Sequence, residues 1–196
     1  QAGAASQAAA GLVNPLGGKG AAPLPHLPAL LGAFRRWVGS PHFPHEVGCW
    51  HAMPVYRPFA PAGGWAAWQA KHARLPVELE LEHRNASLLP GHLADDHGGL
   101  LSWGGWMDVP LLLHHLAEKL AATGRFQVLP ALMDWHALAP DTGHYRGARY
   151  DAVVDCTGIF TQASPHWVGE PLRPLKGQLL EAELEGPHLT AHCLAG

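Results

Sequence analysis

Charge and cysteine are both scarce in this 196-residue chain. Asp, Glu, Lys and Arg make up 15% of it, and 13 basic against 16 acidic residues leave a formal charge of -3. That balance gives no electrostatic reason to expect a nucleic-acid partner, and basic residues cluster only at Arg35-Arg36. The three cysteines, Cys49, Cys156 and Cys193, are far apart, odd in number and without a CxxC, which fits free thiols in a reducing compartment. No apolar run approaches the length that spans a bilayer, so a soluble, cytoplasmic protein without a transmembrane segment is expected. Asn85-Ala86-Ser87 matches a glycosylation sequon, but no signal peptide supports secretion. An initiator methionine and a polar tail after "LTAHCLAG" are also missing, so the sequence reads as a fragment.

What the chain does have is 47% apolar residues, enough to bury a core, and a run of very small ones near its start. In "GAASQAAAGLVNPLGGKG", residues 3–20, the alanines and glycines would let a flat, rigid body approach the main chain closely. They would equally let a helix pack tightly against a neighbour, and the residues alone leave both readings open.

Pattern and punctuation place the elements. Pro28 suits a first helical turn, after which Leu30, Leu31, Phe34 and Trp37 share a face. "CWHAMPVYRPFA", with its prolines, reads as an edge strand. Trp65, Trp68 and His72 share a face of a short helix. "VELELEHR" alternates like a strand with one wet side, and "GGLLSWGGWM" reads as a strand whose glycines admit a close neighbour or a bulge. Asp108 caps a helix running to Thr123, with Pro110 in its first turn, a stripe of Leu113, Leu116, Ala117 and Leu120, and Gly124 as its stop. Short strands are expected in "RFQVLPALMDW" and "GHYRGARYDAVVDCTG", where Ala152-Val153-Val154 reads as covered on both faces. Another is expected in "RPLKGQLLEAEL". Strands and helices alternate irregularly, so the class is mixed α and β (α/β).

Few of the usual catalytic signatures are present. Among fifteen histidines, the spacings of His42 with His45 and of Cys49 with His51 fall in a proline-broken stretch. His114 and His115 are adjacent on a helix, so no metal-ligand set assembles. Neither Ser6 nor Ser102 sits in a nucleophile elbow. Trp103 and Trp106 could line a pocket or pack in a core.

The succession "SQAAAGLVNP", a capped helix after "GGWMDVP", "VVDCTG" and "PLRPLKGQLL" resembles the FAD-dependent oxidoreductases of the D-amino-acid oxidase and glycine oxidase family, over nearly the whole chain. The family's opening strand, GxGxxG turn and ribose-binding acid have no counterpart here. The resemblance implies a partial Rossmann-like FAD-binding domain, residues 1–45 and 107–170, interleaved with a partial antiparallel substrate-binding sheet, residues 46–106 and 171–196. It implies FAD contacts at Ala4, Ala5 and Ser6 along the pyrophosphate and ribityl chain, and at Ala10, Gly11 and Leu12 against the isoalloxazine ring. Ala131 would reach the adenine, Cys156, Thr157 and Gly158 would end the FAD-domain strand, and Gly177 would turn the chain into the substrate domain. The implied reaction oxidises the C–N bond of an amino acid or related amine by hydride transfer to flavin N5. Tyr56 and Arg57 could then form part of the substrate wall, or simply pack. The implied alternatives are a tRNA-modifying oxidase acting on an aminomethyluridine, which would want a basic surface, and a truncated, non-catalytic domain. Without the glycine turn the fragment is expected to hold FAD weakly or not at all.

Overall fold

The computed structural model describes residues 5–17, 20–59, 63–72, 80–84, 96–128, 133–169, 173, 185 and 192–193. Contacts divide the chain into two compact units, one of residues 1–123 with 179–196 and the other of residues 124–178.

In the first unit, in chain order, come β1 (Leu12–Val13), β2 (Leu16–Gly17), β3 (Ala22–Pro23), α1 (Leu27–Val38), β4 (Trp50–Ala52), β5 (Val55–Pro58), α2 (Gly64–Lys71), β6 (Glu82–Arg84), β7 (Gly99–Ser102), β8 (Gly105–Met107) and α3 (Val109–Ala122). Its frame is a long antiparallel ribbon. β4 pairs with β8 and β5 with β7 in one unbroken register, from Trp50 opposite Met107 to Pro58 opposite Gly99. The ladder lapses at Met53-Pro54 because proline has no N–H to give, and the Met53 N–H to Gly104 carbonyl bond of 3.2 Å spans the gap. The strand of residues 99–107 takes β1 beside one half and β6 beside the other.

The glycines of "GGLLSWGGWM" do admit a close neighbour, and that neighbour is the chain itself. A Cβ on Gly99 would meet the Arg57 carbonyl and the Tyr56 ring, and one on Gly105 the His51 carbonyl and the Trp50 ring. Of the edge strand expected in "CWHAMPVYRPFA", β4 does lie at the edge of its sheet, beside β8 alone among the described residues, whereas β5 has β7 on one side and the parallel β12 (His192–Cys193) on the other. At β5 the prolines misled because Pro58 stands only at the strand's last position.

Helices cover this frame. Pro28 lies in the first turn of α1, but the buried side is Leu27 and Leu31 with Phe34 and Val38 half-buried, while Leu30 and Trp37 are exposed. Leu27, just ahead of Pro28, is the helix's first residue and pulls the buried stripe round. α3 is as expected at both ends. Asp108 accepts the Leu111 N–H at 2.9 Å, and Gly124 follows with φ +66°. Its buried face is Leu112, with Val109, His115 and Leu116 half-buried, rather than the stripe through Leu113 and Leu120, both exposed. In α2, Trp68 is buried and its indole N–H donates to the Ala21 carbonyl at 3.1 Å. The result is two clusters, Leu16, Leu27, Leu31, Trp68 and Leu100 in one, Phe43, Cys49, Met107 and Leu112 in the other. Burying each such leucine is worth about 1.5–3 kcal/mol.

The second unit contains β9 (Leu138–Ala139), β10 (His144–Tyr145) and β11 (Ala148–Arg149), an antiparallel meander. Arg146 and Gly147, at φ +47° and +82°, make the hairpin turn. The expected strand through Ala152-Val153-Val154 does not form. No ladder partner meets it among the described residues, and Val154 is 80% exposed. A continuous apolar run needs neighbours on both sides to become a buried strand, and pattern alone cannot supply them. "RFQVLPALMDW" shows no strand at its described residues, and "RPLKGQLLEAEL" lies almost wholly outside them. The mixed α/β class is as expected.

Candidate functional site

The small-residue opening lies in the first unit. Ala5–Gln7 form a 3₁₀ turn that packs against α3, closed by the Ala8 N–H donating to the Ala5 carbonyl at 3.2 Å. Residues 5–10 are all exposed, so this stretch is not a core-packing helix. Ala4 falls outside the described residues.

Gly11 tells a different story. Its φ is +68°, and a Cβ would fall on the Met107 carbonyl. Its own carbonyl accepts the Met107 N–H at 2.9 Å, just before Leu12 pairs with Trp106 in β1. Glycine is therefore required here by the protein's own backbone, whatever a ligand might ask. The next link, Asp108 N–H to the Cys49 carbonyl at 2.8 Å, ties the start of α3 to the same corner. The exposed alanines thus hang from a rigid junction of β1, β8, β4 and α3.

Cys156, Thr157 and Gly158 belong to the second unit and are exposed. They end no strand: Thr157 precedes a 3₁₀ stretch, Gly158–Ala163, and Gly158 has φ +61°. The organising group is Asp155, which sequence reasoning passed over. Its Oδ1 accepts the Thr157 N–H at 2.9 Å and the Thr157 hydroxyl at 2.7 Å. Burial pushes this carboxyl up, but hydrogen bonds from Thr157, Thr161 and Trp167 outweigh that and hold it below its usual range. The Asp-x-Thr spacing was a readable turn signal. Ala131 and Gly177 lie outside the described residues.

Tyr56 and Arg57 are both buried on β5, Tyr56 completely, with its ring over Gly99. The structure gives this pair a packing position. Trp103 instead borders an open cavity of about 270 Å³ at the lapse in the ribbon, together with Met53, Pro54, Glu80, Leu101 and Ser102. Trp106 stacks on His51 across the strands, at 4.0 Å between ring centres.

A profile for the FAD dependent oxidoreductase family, DAO, matches residues 1–194. The chain belongs to this family of flavoproteins. No curated protein and no solved structure gives a significant match. The family is FAD-dependent, and the first unit offers a stretch that suits such a group: five of residues 5–10 are alanine or serine, exposed, with little side chain to hold a planar body off the main chain. Thr157 suits it less, because its amide and hydroxyl are already engaged by Asp155.

Among the described residues no helix is long and apolar enough to cross a membrane. Nor do any group three or more His, Cys, Asp or Glu side chains as a metal site would.

Proposed function

We infer that this flavoprotein chain serves the oxidation of a C–N bond in an amino acid or related amine, in the cytoplasm. When bound, FAD supplies the redox chemistry, accepting a hydride at N5. The reading is carried by the family match over residues 1–194 together with the exposed small-residue stretch 5–10.

The chain's own contribution is positional. Ala4, Ala5, Ser6, Ala10, Gly11 and Leu12 would line the flavin, with Gly11 fixing where the exposed stretch leaves the sheet. Ala131, Cys156, Thr157 and Gly158 would serve the nucleotide end. The ribbon of residues 50–58 and 99–106 would form the core of the substrate side, and Tyr56 and Arg57 would stiffen it from within. Residues 1–45 and 107–170 would then belong to the flavin side of the whole enzyme, and 46–106 and 171–196 to the substrate side. A tRNA substrate is not favoured, since Arg35 of the Arg35-Arg36 pair is engaged by Glu80 at 2.6 Å.

The test is oxygen uptake and peroxide release on a panel of amino acids and secondary amines, using protein expressed from its full reading frame. Bound flavin is followed separately by its absorbance. Turnover of at least one amine is expected. A flavin-loaded protein that oxidises none of them would overturn the reading.

A further inference from the structure

Two side chains that border the ribbon cavity come from different elements and share one partner. Trp103 stands in the turn between β7 and β8, and Glu80 stands two residues ahead of β6. Trp103 is fixed from behind. It packs against the cluster of Leu16, Leu27, Leu31, Trp68 and Leu100, and its ring lies 6.0 Å from that of Phe34 and 6.2 Å from that of Trp50, centre to centre. Leu81 packs against the same cluster, and β6 is paired with β7 from Glu82 onward. Glu80, one residue further out, is exposed and sits at φ +48°, a left-handed conformation that glutamate seldom adopts. Such a backbone persists only where its surroundings hold it.

Arg35 supplies such a hold. Its Nη2 donates to Glu80 Oε1 at 2.6 Å, while the guanidinium carbon lies 4.5 Å from the centre of the Trp103 ring. One cation thus joins two parts of the cavity wall, by a charge-assisted bond to the carboxylate and by the face of the indole. It projects from α1, whose Leu27 and Leu31 are buried, so the fixed point is the helix. The guanidinium has a further interaction besides these two, which leaves Glu80 as the partner that can part from it. The pair is wet. Its side chains are 34% and 60% exposed, so dissolved salt screens it.

We propose that Arg35 is a clasp on the rim of this cavity: joined to Glu80 it holds the mouth narrow, and with the pair parted the mouth admits larger molecules. The clasp goes beyond the reading above and does not depend on which reaction the flavoprotein runs. Small molecules reach Met53, Pro54, Leu101 and Ser102 in either state. Bulky ones reach them once Glu80 has swung away, a move that also frees its backbone from the left-handed conformation. Because an exposed ion pair is worth little, the two states are close in population, and salt shifts the balance between them. Entry to the cavity is thereby graded by size and by ionic strength.

The test is oxidation of Met53 in the full-length flavoprotein, followed by peptide mass spectrometry, with hydrogen peroxide as the small reagent and chloramine-T as the bulky one. Met107, 5% exposed in the core, is the internal reference. Glu80→Gln keeps the shape and removes the charge. At low salt it should raise the chloramine-T rate at Met53 roughly two- to fivefold and leave the peroxide rate unchanged. Sodium chloride at about 0.5 M should do the same to the unaltered protein and nothing further to Glu80→Gln. Arg35→Lys keeps the charge but loses the flat face on the indole, and should fall between. A second measurement uses Ser102→Cys, at a wall position only 3% exposed, with Cys156 and Cys193 changed to serine. Labelling by a small methanethiosulfonate and by a bulky maleimide should show the same dependence on size and salt. Equal responses to small and bulky reagents, or a Glu80→Gln protein as salt-sensitive as the unaltered one, overturn the proposal. So does a parallel rise at Met107, which marks loosening of the whole unit. The salt series on the unaltered protein needs no variant: a chloramine-T rate at Met53 that salt leaves unmoved overturns the clasp by itself.

Discussion

The two units bury their apolar residues to very different extents. Among the described residues, twelve of the thirteen buried hydrophobic ones, from Leu16 to Leu112, belong to the first unit, and Tyr145 alone to the second. Yet Val153, Val154, Ile159, Phe160, Trp167 and Val168 all lie in the second unit, and all are exposed. Composition therefore does not separate them. In the first unit apolar side chains of α1, α2 and α3 find partners on a paired ribbon. The second has two-residue strands and 3₁₀ turns, held by local hydrogen bonds around Asp155 and Tyr145. A stretch of about that size has little surface to bury against itself.

The contrast can be broken or sharpened by mutation. Gly11→Ala carries the largest expected effect. The left-handed φ and the collision with the Met107 backbone together should cost about 4 kcal/mol, seen as a lower urea midpoint in tryptophan fluorescence. Leu31→Ala opens a cavity beside Leu27 and Trp68 and should cost about 3 kcal/mol by the same measurement. Asp108→Ala removes the α3 cap and should cost about 1 kcal/mol. Val154→Ala, in the second unit, should change stability by less than about 0.5 kcal/mol. A loss there as large as that of Leu31→Ala would show that the contrast is false.

Acid should act locally on the second unit. The Asp155 carboxyl is held below its ordinary value of 3.8, so its stabilising contribution is complete above that value and is lost as pH falls through the depressed one. Faster exchange of the Thr157 amide below pH 3.8, absent in Asp155→Asn at any pH, is the expected signature. This is the smallest effect, confined to one turn.

Legibility followed the range of the interaction. The α3 cap, the Gly124 stop, the short helix carrying Trp68 and the strand in "GGLLSWGGWM" were all readable because their causes lie within a few residues. Helix faces were less so: Leu30 and Trp37 fit the period of α1 as well as Leu27 does, and only the packed sheet selects among them. At the candidate site, the small residues at 5–10 were visible from the start. The reason Gly11 must be glycine was not, since Met107 is remote in sequence. Glu80 gave no signal, and Arg35 stood out only as half of a basic pair, until the fold sets the guanidinium on Glu80 and over Trp103.

Local order and membership of the flavoprotein family were thus settled by the order of residues alone, because caps, turns and motif succession need no partner from afar. Which apolar side chains are buried, which glycines are obligatory and which charges meet at a cavity were decided only in three dimensions. Those outcomes depend on register between distant strands, and a single ribbon running in one register from Trp50 to Pro58 determines them together.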